Sequence, residues 1–120
     1  MNDKTKANTF VVKLPANGNP TIEPFNSENS YKQLSDAVGG MIEGAIIPTV
    51  KHTGEYGIDC FVNEEGLLER LPLNWRLSAW CSKSYGGPLV GDAIFVGHDS
   101  EGETVGLIED DAKAILAIFA

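Results

Sequence analysis

The residues most able to do chemistry in this chain fall in two short polar stretches. Asn63-Glu64-Glu65-Gly66 sets an amide and two carboxylates at what reads as a strand end, a combination that can hold a polar ligand or a cation. Its structural alternative is a turn in which Asn63 bonds its own backbone, the glutamates face water and Gly66 takes a positive φ. The second stretch is Arg70 with Asn74, Trp75 and Arg76. Two guanidinium groups near a helix start can take a phosphate or carboxylate, helped by free backbone N–H groups, and Trp75 can stack on a base or ring. The alternative here is that Asn74 caps a helix while the arginines pair with Glu64, Glu65 or Glu69. The ligand-binding candidates are therefore Asn63, Glu64, Arg70, Asn74, Trp75 and Arg76.

Nucleophilic and metal chemistry find less support. The two histidines are His52 and His98, and the two cysteines are Cys60 and Cys81. Pairing Cys60 with His52, or Cys81 with His98, would supply a nucleophile and base. Neither cysteine sits in a nucleophile-elbow or cysteine-protease signature. There is no Cys-x-x-Cys, no Asp-x-Asp-x-Asp-Gly loop and no patterned third metal ligand. Gly39-Gly40 and Gly86-Gly87 lack the strand-to-helix setting and the lysine of a phosphate loop. No catalytic residue, no metal and no cofactor is expected.

Charge narrows the partners. Seventeen acids against nine bases leave a net charge of −8 and a pI near 4.6. Such a field repels nucleic-acid phosphates and anionic membranes, so neither is an expected partner. What remains is a small nucleotide-like ligand held locally by arginines, or a basic protein surface met by Glu64, Glu65, Glu101, Glu103, Glu109, Asp110 and Asp111. Met1 to Thr9 is polar and unlike a secretory signal. The late apolar run Ala114 to Ala120 is far short of the ~20 residues that cross a bilayer, and a cytoplasmic location is expected.

Ordinary elements must position these residues. Residues 1–8 read as a flexible polar lead-in and residues 9–120 as one domain. Phe10, Val12 and Leu14 alternate on a strand that turns at Pro15 to Pro20 and returns as Thr21 to Phe25. A capping box of Ser30 and Gln33 starts a helix with Tyr31, Leu34 and Val38 on its stripe, ended by Gly39-Gly40. Met41 to Val50 follows as a strand with Ile42 and Ile46 inward, and Pro48 marks an edge or bulge. Ile58, Cys60 and Val62 face one way on the next strand. Asn74 caps a helix whose one face carries Leu73, Leu77, Trp80 and Cys81, with Trp75 pointing elsewhere. Asp92 to Gly97 is a central strand covered on both faces, and Thr104 to Ile108 a last one. Three acids open a C-terminal helix with Ala112, Ile115, Leu116 and Phe119 on its stripe. The class is α+β: a small, mainly antiparallel or mixed sheet with two or three helices packed on one face. An edge near Pro48 leaves both a monomer and a homodimer open.

Four segments are more telling together than apart: Val38-Gly39-Gly40-Met41-Ile42-Glu43, Asn63-Glu64-Glu65-Gly66-Leu67, Leu71-Pro72-Leu73-Asn74, and Val90-Gly91-Asp92-Ala93 running into Ile94 to Gly97. In order and spacing they resemble the bacterial and phage domain-of-unknown-function family 3846, from Phe10 to about Gly97. The resemblance implies a context of phages and mobile elements and no particular activity. The resulting expectation is a non-enzymatic binding protein that sequesters a host protein or a small nucleotide-like signal, in host takeover or counter-defence. An acidic decoy for a basic host nucleic-acid-binding protein is the alternative, and a small hydrolase built on a His–Cys or His–carboxylate pair is a third reading.

Overall fold

Six short strands pair antiparallel in one sheet, and a computed structural model of the chain describes them within residues 9–81 and 87–120. The expected lead-in and the first part of the Ser82 to Pro88 loop lie outside the described residues. The elements are β1 (Phe10–Leu14), β2 (Thr21–Pro24), α1 (Ser30–Val38), β3 (Ile42–Ala45), β4 (Gly57–Asn63), α2 (Trp75–Trp80), β5 (Ala93–His98), β6 (Thr104–Val105) and α3 (Glu109–Phe119). The sheet runs β2-β1-β5-β4-β3, so β5, with its nearly unbroken apolar run, lies at the centre as expected. β1 pairs with the first half of β5 and β6 with its end, at Gly97 and His98. With three helices on an antiparallel sheet the fold is α+β, in agreement with the sequence reading.

The helices occupy both faces, not one. Alternation along β5 sends Ile94 and Val96 to one side, where they meet Val11 and the Leu34 and Val38 stripe of α1. Ala93 and Phe95 go to the other side with Val12, Leu14, Cys60 and Val62, under Leu77 of α2 and Ala112, Ile115 and Phe119 of α3. A central strand apolar from Ala93 to Val96 leaves two faces to be covered, and one layer of helices covers only one.

Local details also differ from the sequence reading. The cap of α1 is Asn29, which accepts from Lys32 N at 3.1 Å. Gln33 instead accepts from Asn26 N and donates to Pro24 O, both at 2.7 Å, fastening the helix to the exit of β2. Tyr31, in the first turn of α1, is 56% exposed. Gly39 ends the helix at φ 79°, as expected. β3 stops at Ala45 on the sheet edge, leaving Pro48 beyond the strand and Ile46 exposed. Leu73 is exposed because it precedes α2, where it bridges Val90.

Asp111 departs furthest from expectation. In sequence it is one of three acids suited to the start of α3 and available to a basic partner, yet it is 2% exposed. Its carboxylate accepts from Thr53 N and Gly54 N, each at 2.9 Å, from the Thr53 hydroxyl at 3.3 Å and from the Tyr56 hydroxyl at 2.5 Å. The Tyr56 oxygen in turn accepts from Ile108 N at 3.0 Å. Burial alone would raise the Asp111 pKa, but these donors together hold it below the usual carboxylate range. Burial first, and the bond to Asp111 second, push the Tyr56 hydroxyl well up.

A depressed carboxyl pKa contributes stability that is present above the unfolded value of about 3.9 and lost as pH falls through the folded value. Asp111→Asn is expected to cost about 2–3 kcal/mol at neutral pH, since an amide cannot accept from all these donors. The variant should also lose less further stability than the parent on acidification below about pH 4. Urea unfolding across this range measures both effects.

Candidate functional site

One end of the sheet, where β1 and β4 finish and β3 and β5 begin, gathers the polar chemistry. Asn63, the last residue of β4, pairs with Ile42 and turns its side chain toward α1. Its Nδ2 donates to Val38 O at 3.2 Å and lies 3.4 Å from Glu69 Oε1, while its Oδ1 accepts from Glu65 N at 2.7 Å. Gly40 passes so close that a Cβ there would sit 2.9 Å from Asn63 Nδ2. Asn63 is thus the buried peg on which the Glu64–Glu69 turn hangs.

Gly66 is a glycine for a reason other than the expected positive φ, which falls on Arg70 at 57°. A Cβ on Gly66 would stand 2.7 Å from Val90 Cγ2, so the turn can lie against the approach to β5 only without a side chain. Gly91 meets both demands, with φ 79° and a Cβ position 2.8 Å from Leu71 Cδ1. Gly91 N donates to Pro72 O at 2.7 Å and Glu64 N to Met41 O at 2.8 Å. Asn74 is 1% exposed. Its Oδ1 caps α2 through Leu77 N at 3.2 Å, and its Nδ2 donates to Leu14 O at 3.1 Å and Gly91 O at 3.0 Å. The four segments that carry the family resemblance, distant in sequence, meet at this end.

Two clefts flank Asn63. One, of 270 Å³, is lined by Glu43, Glu64, Glu65, Leu67, Leu68 and the stretch 88–90. The other, of 320 Å³ on the α1 face, is lined by Asp36, Glu69, Leu71, Pro72 and Asp92 among others. No lysine or arginine lines either among the described residues. Beside the carboxylates stand Leu67 and Leu68, 66% and 84% exposed. Among the described residues no three His, Cys, Asp or Glu side chains are grouped to hold a metal ion. The arrangement can receive positive charge spread along a chain and bury apolar side chains beside it.

The sequence candidates divide. Asn63 and Glu64 belong to this end, Asn63 with both side-chain polar atoms engaged. Asn74 is buried structure. Arg70 is exposed on the turn and lines neither cleft. Trp75 and Arg76 line a separate cleft between α2 and α3. A nucleotide site joining Arg70, Arg76 and Trp75 with Asn63 or Asn74 is therefore not assembled in one pocket. Nor does either arginine pair with Glu64, Glu65 or Glu69; the ion pairs among the described residues are Lys13–Glu23, Lys32–Asp36, His98–Asp59 and Lys113–Glu109. Sequence reasoning missed Glu43, Asp36, Glu69, Asp92, Leu67 and Leu68 as site residues. Two adjacent leucines directly after Glu-Glu-Gly were the available signal.

The suspected nucleophiles are differently employed. Both cysteines are buried, and burial, with Cys81 and Asp59 nearby, pushes the Cys60 thiol well up, suppressing the thiolate. His52 lies between the carbonyls of Val50 and Tyr56, 2.7 Å from each ring nitrogen. His98 Nδ1 lies 2.9 Å from Asp59 Oδ2 on the neighbouring strand.

Fold and site together define a small antiparallel α+β domain with an acidic, leucine-bearing end. The chain belongs to the family described as domain of unknown function DUF3846, whose model matches residues 9–120. No curated protein and no solved structure matches it.

Two substitutions test the framework of this end. Asn63→Ala leaves Val38 O and Glu65 N without their partner and should cost about 1–3 kcal/mol in denaturant unfolding. Arg70→Gly removes a left-handed non-glycine residue and should stabilise by about 0.5–1 kcal/mol in the same assay.

Proposed function

We propose that this protein is a non-enzymatic binding module that engages a basic, amphipathic segment of a partner protein through the end centred on Asn63. The observation that carries the reading is the coincidence of two acidic clefts, lined by no lysine or arginine among the described residues, with exposed Leu67 and Leu68 at one edge. Carboxylates around the clefts steer and register a basic segment, and the leucines supply apolar area that such a segment can bury. Glu101 and Glu103, in the turn after β5, lie at the opposite end of that strand, so the acidic face is narrower than composition alone implies. Asp111 is committed to the core. The phage and mobile-element context implied by the family resemblance favours a host protein as the partner, met in the host cytoplasm and sequestered there in takeover or counter-defence. A host nucleic-acid-binding protein has the required basic surface, which makes the decoy reading a special case of this one.

Fluorescence anisotropy with a synthetic peptide alternating arginine and leucine tests the proposal. Binding should weaken as salt rises. Glu64→Lys with Glu65→Lys should reduce affinity on the order of tenfold, and Leu68→Ala by a similar factor. Equal affinity in parent and both variants would remove this surface as the binding site.

A further inference from the structure

A third cleft, of 210 Å³, lies between α2 and the end of α3 and is built of different chemistry. Trp75, Arg76, Ala79 and Trp80 line it from α2, and Ile118 and Phe119 from α3, with Ala120 just beyond that helix. Half-buried Trp80 stands edge-on to Phe119 with ring centres 5.2 Å apart and tilts against Phe95 at 6.1 Å, which fixes an aromatic wall. Trp75 is 61% exposed and Ile118 41%, so the rim presents apolar surface to water that the core does not use.

Arg76 is held at this rim. Its Nη1 donates to Gly18 O at 2.5 Å, and its guanidinium lies 5.7 Å from the Trp75 ring centre. A guanidinium carries five N–H donors, and no carboxylate of the described residues pairs with this one. Lys13, Lys32 and Lys113 are each matched by an acid. Arg76 is therefore a pre-oriented cation with donors to spare, beside an aromatic cleft in a chain of net charge −8.

We propose that this cleft binds a small planar aromatic anion, the ring against the indoles and the anionic group on Arg76. Stacking on Trp75 and Trp80 accepts a flat π-system of many identities, whereas the guanidinium fork selects phosphate or carboxylate. The volume falls below the ~300 Å³ of a typical drug-sized pocket, which fits one ring system with its charged group outside. The proposal is independent of the acidic end and shares no residue with it.

The two tryptophans of the chain both line this cleft, so intrinsic tryptophan emission reports on it without background from other indoles. Adenosine 5′-monophosphate, adenosine and benzoate are titrated into the full chain. Saturable changes in emission with either anion, and at least tenfold weaker effects with neutral adenosine, are expected. The anion that responds distinguishes a phosphate from a carboxylate source. Arg76→Gln should abolish the preference for the monophosphate over adenosine, and Arg76→Lys should restore part of it through charge without the fork. Circular dichroism confirms that both variants fold. Absence of any saturable change, equal binding of adenosine and its monophosphate, or an unchanged preference in folded Arg76→Gln would each overturn the proposal.

Discussion

Backbone polar groups buried where chain segments enter and leave a sheet must be paired, and in this molecule three side chains do most of that pairing. Asn63, Asn74 and Asp111 are the buried polar residues among those described, and each faces backbone at a strand or helix end. Asn74 ties the end of β1, the entry to β5 and the start of α2 to one amide. Asn63 joins the end of α1 to the turn after β4, while Asp111 clasps the loop before β4 to the start of α3. An unpaired buried donor or acceptor costs about 1–3 kcal/mol, so removing any of the three leaves several groups unserved at once.

This arrangement explains why the polar residues divide by role. Those that look most versatile in one dimension, the two asparagines, are consumed by structure. Those that look like generic solubilising charge, Glu43, Glu64, Glu65, Glu69, Asp36 and Asp92, surround the clefts. The asparagines hold the turn and the approach to β5 in place, and the carboxylates are displayed by that frame.

Much of the fold was legible because it rests on local pattern. Alternation placed β1, β4 and β5, the Leu34 and Val38 stripe with Gly39 placed α1, and the helix cap at Asn74 followed from residue type and position. What was not legible rests on contacts across long separations. Asp111 reads as one of three acids suited to a helix start; only the loop carrying Thr53, Gly54 and Tyr56 makes it core. Gly66 reads as a turn glycine, but Val90, far along the chain, decides its need for a bare Cα. The capping box failed by one residue because Asn29 competes with Ser30 for the cap, freeing Gln33 to bind the chain leaving β2. The candidate site was half visible: the Asn63 turn was marked, but its convergence with the Leu71 to Asn74 and Val90 to Ala93 segments was not.

The placement of β5 also orders assembly in time. β1 with β2 and β3 with β4 are each complete by residue 63, yet the two pairs share no ladder until residues 93–98 are slotted between them. Until β5 is in place each pair has an inner edge without a ladder partner, and such edges invite pairing with other chains. The centre of the finished sheet is among its last parts to be made, and contacts this distant in sequence form slowly.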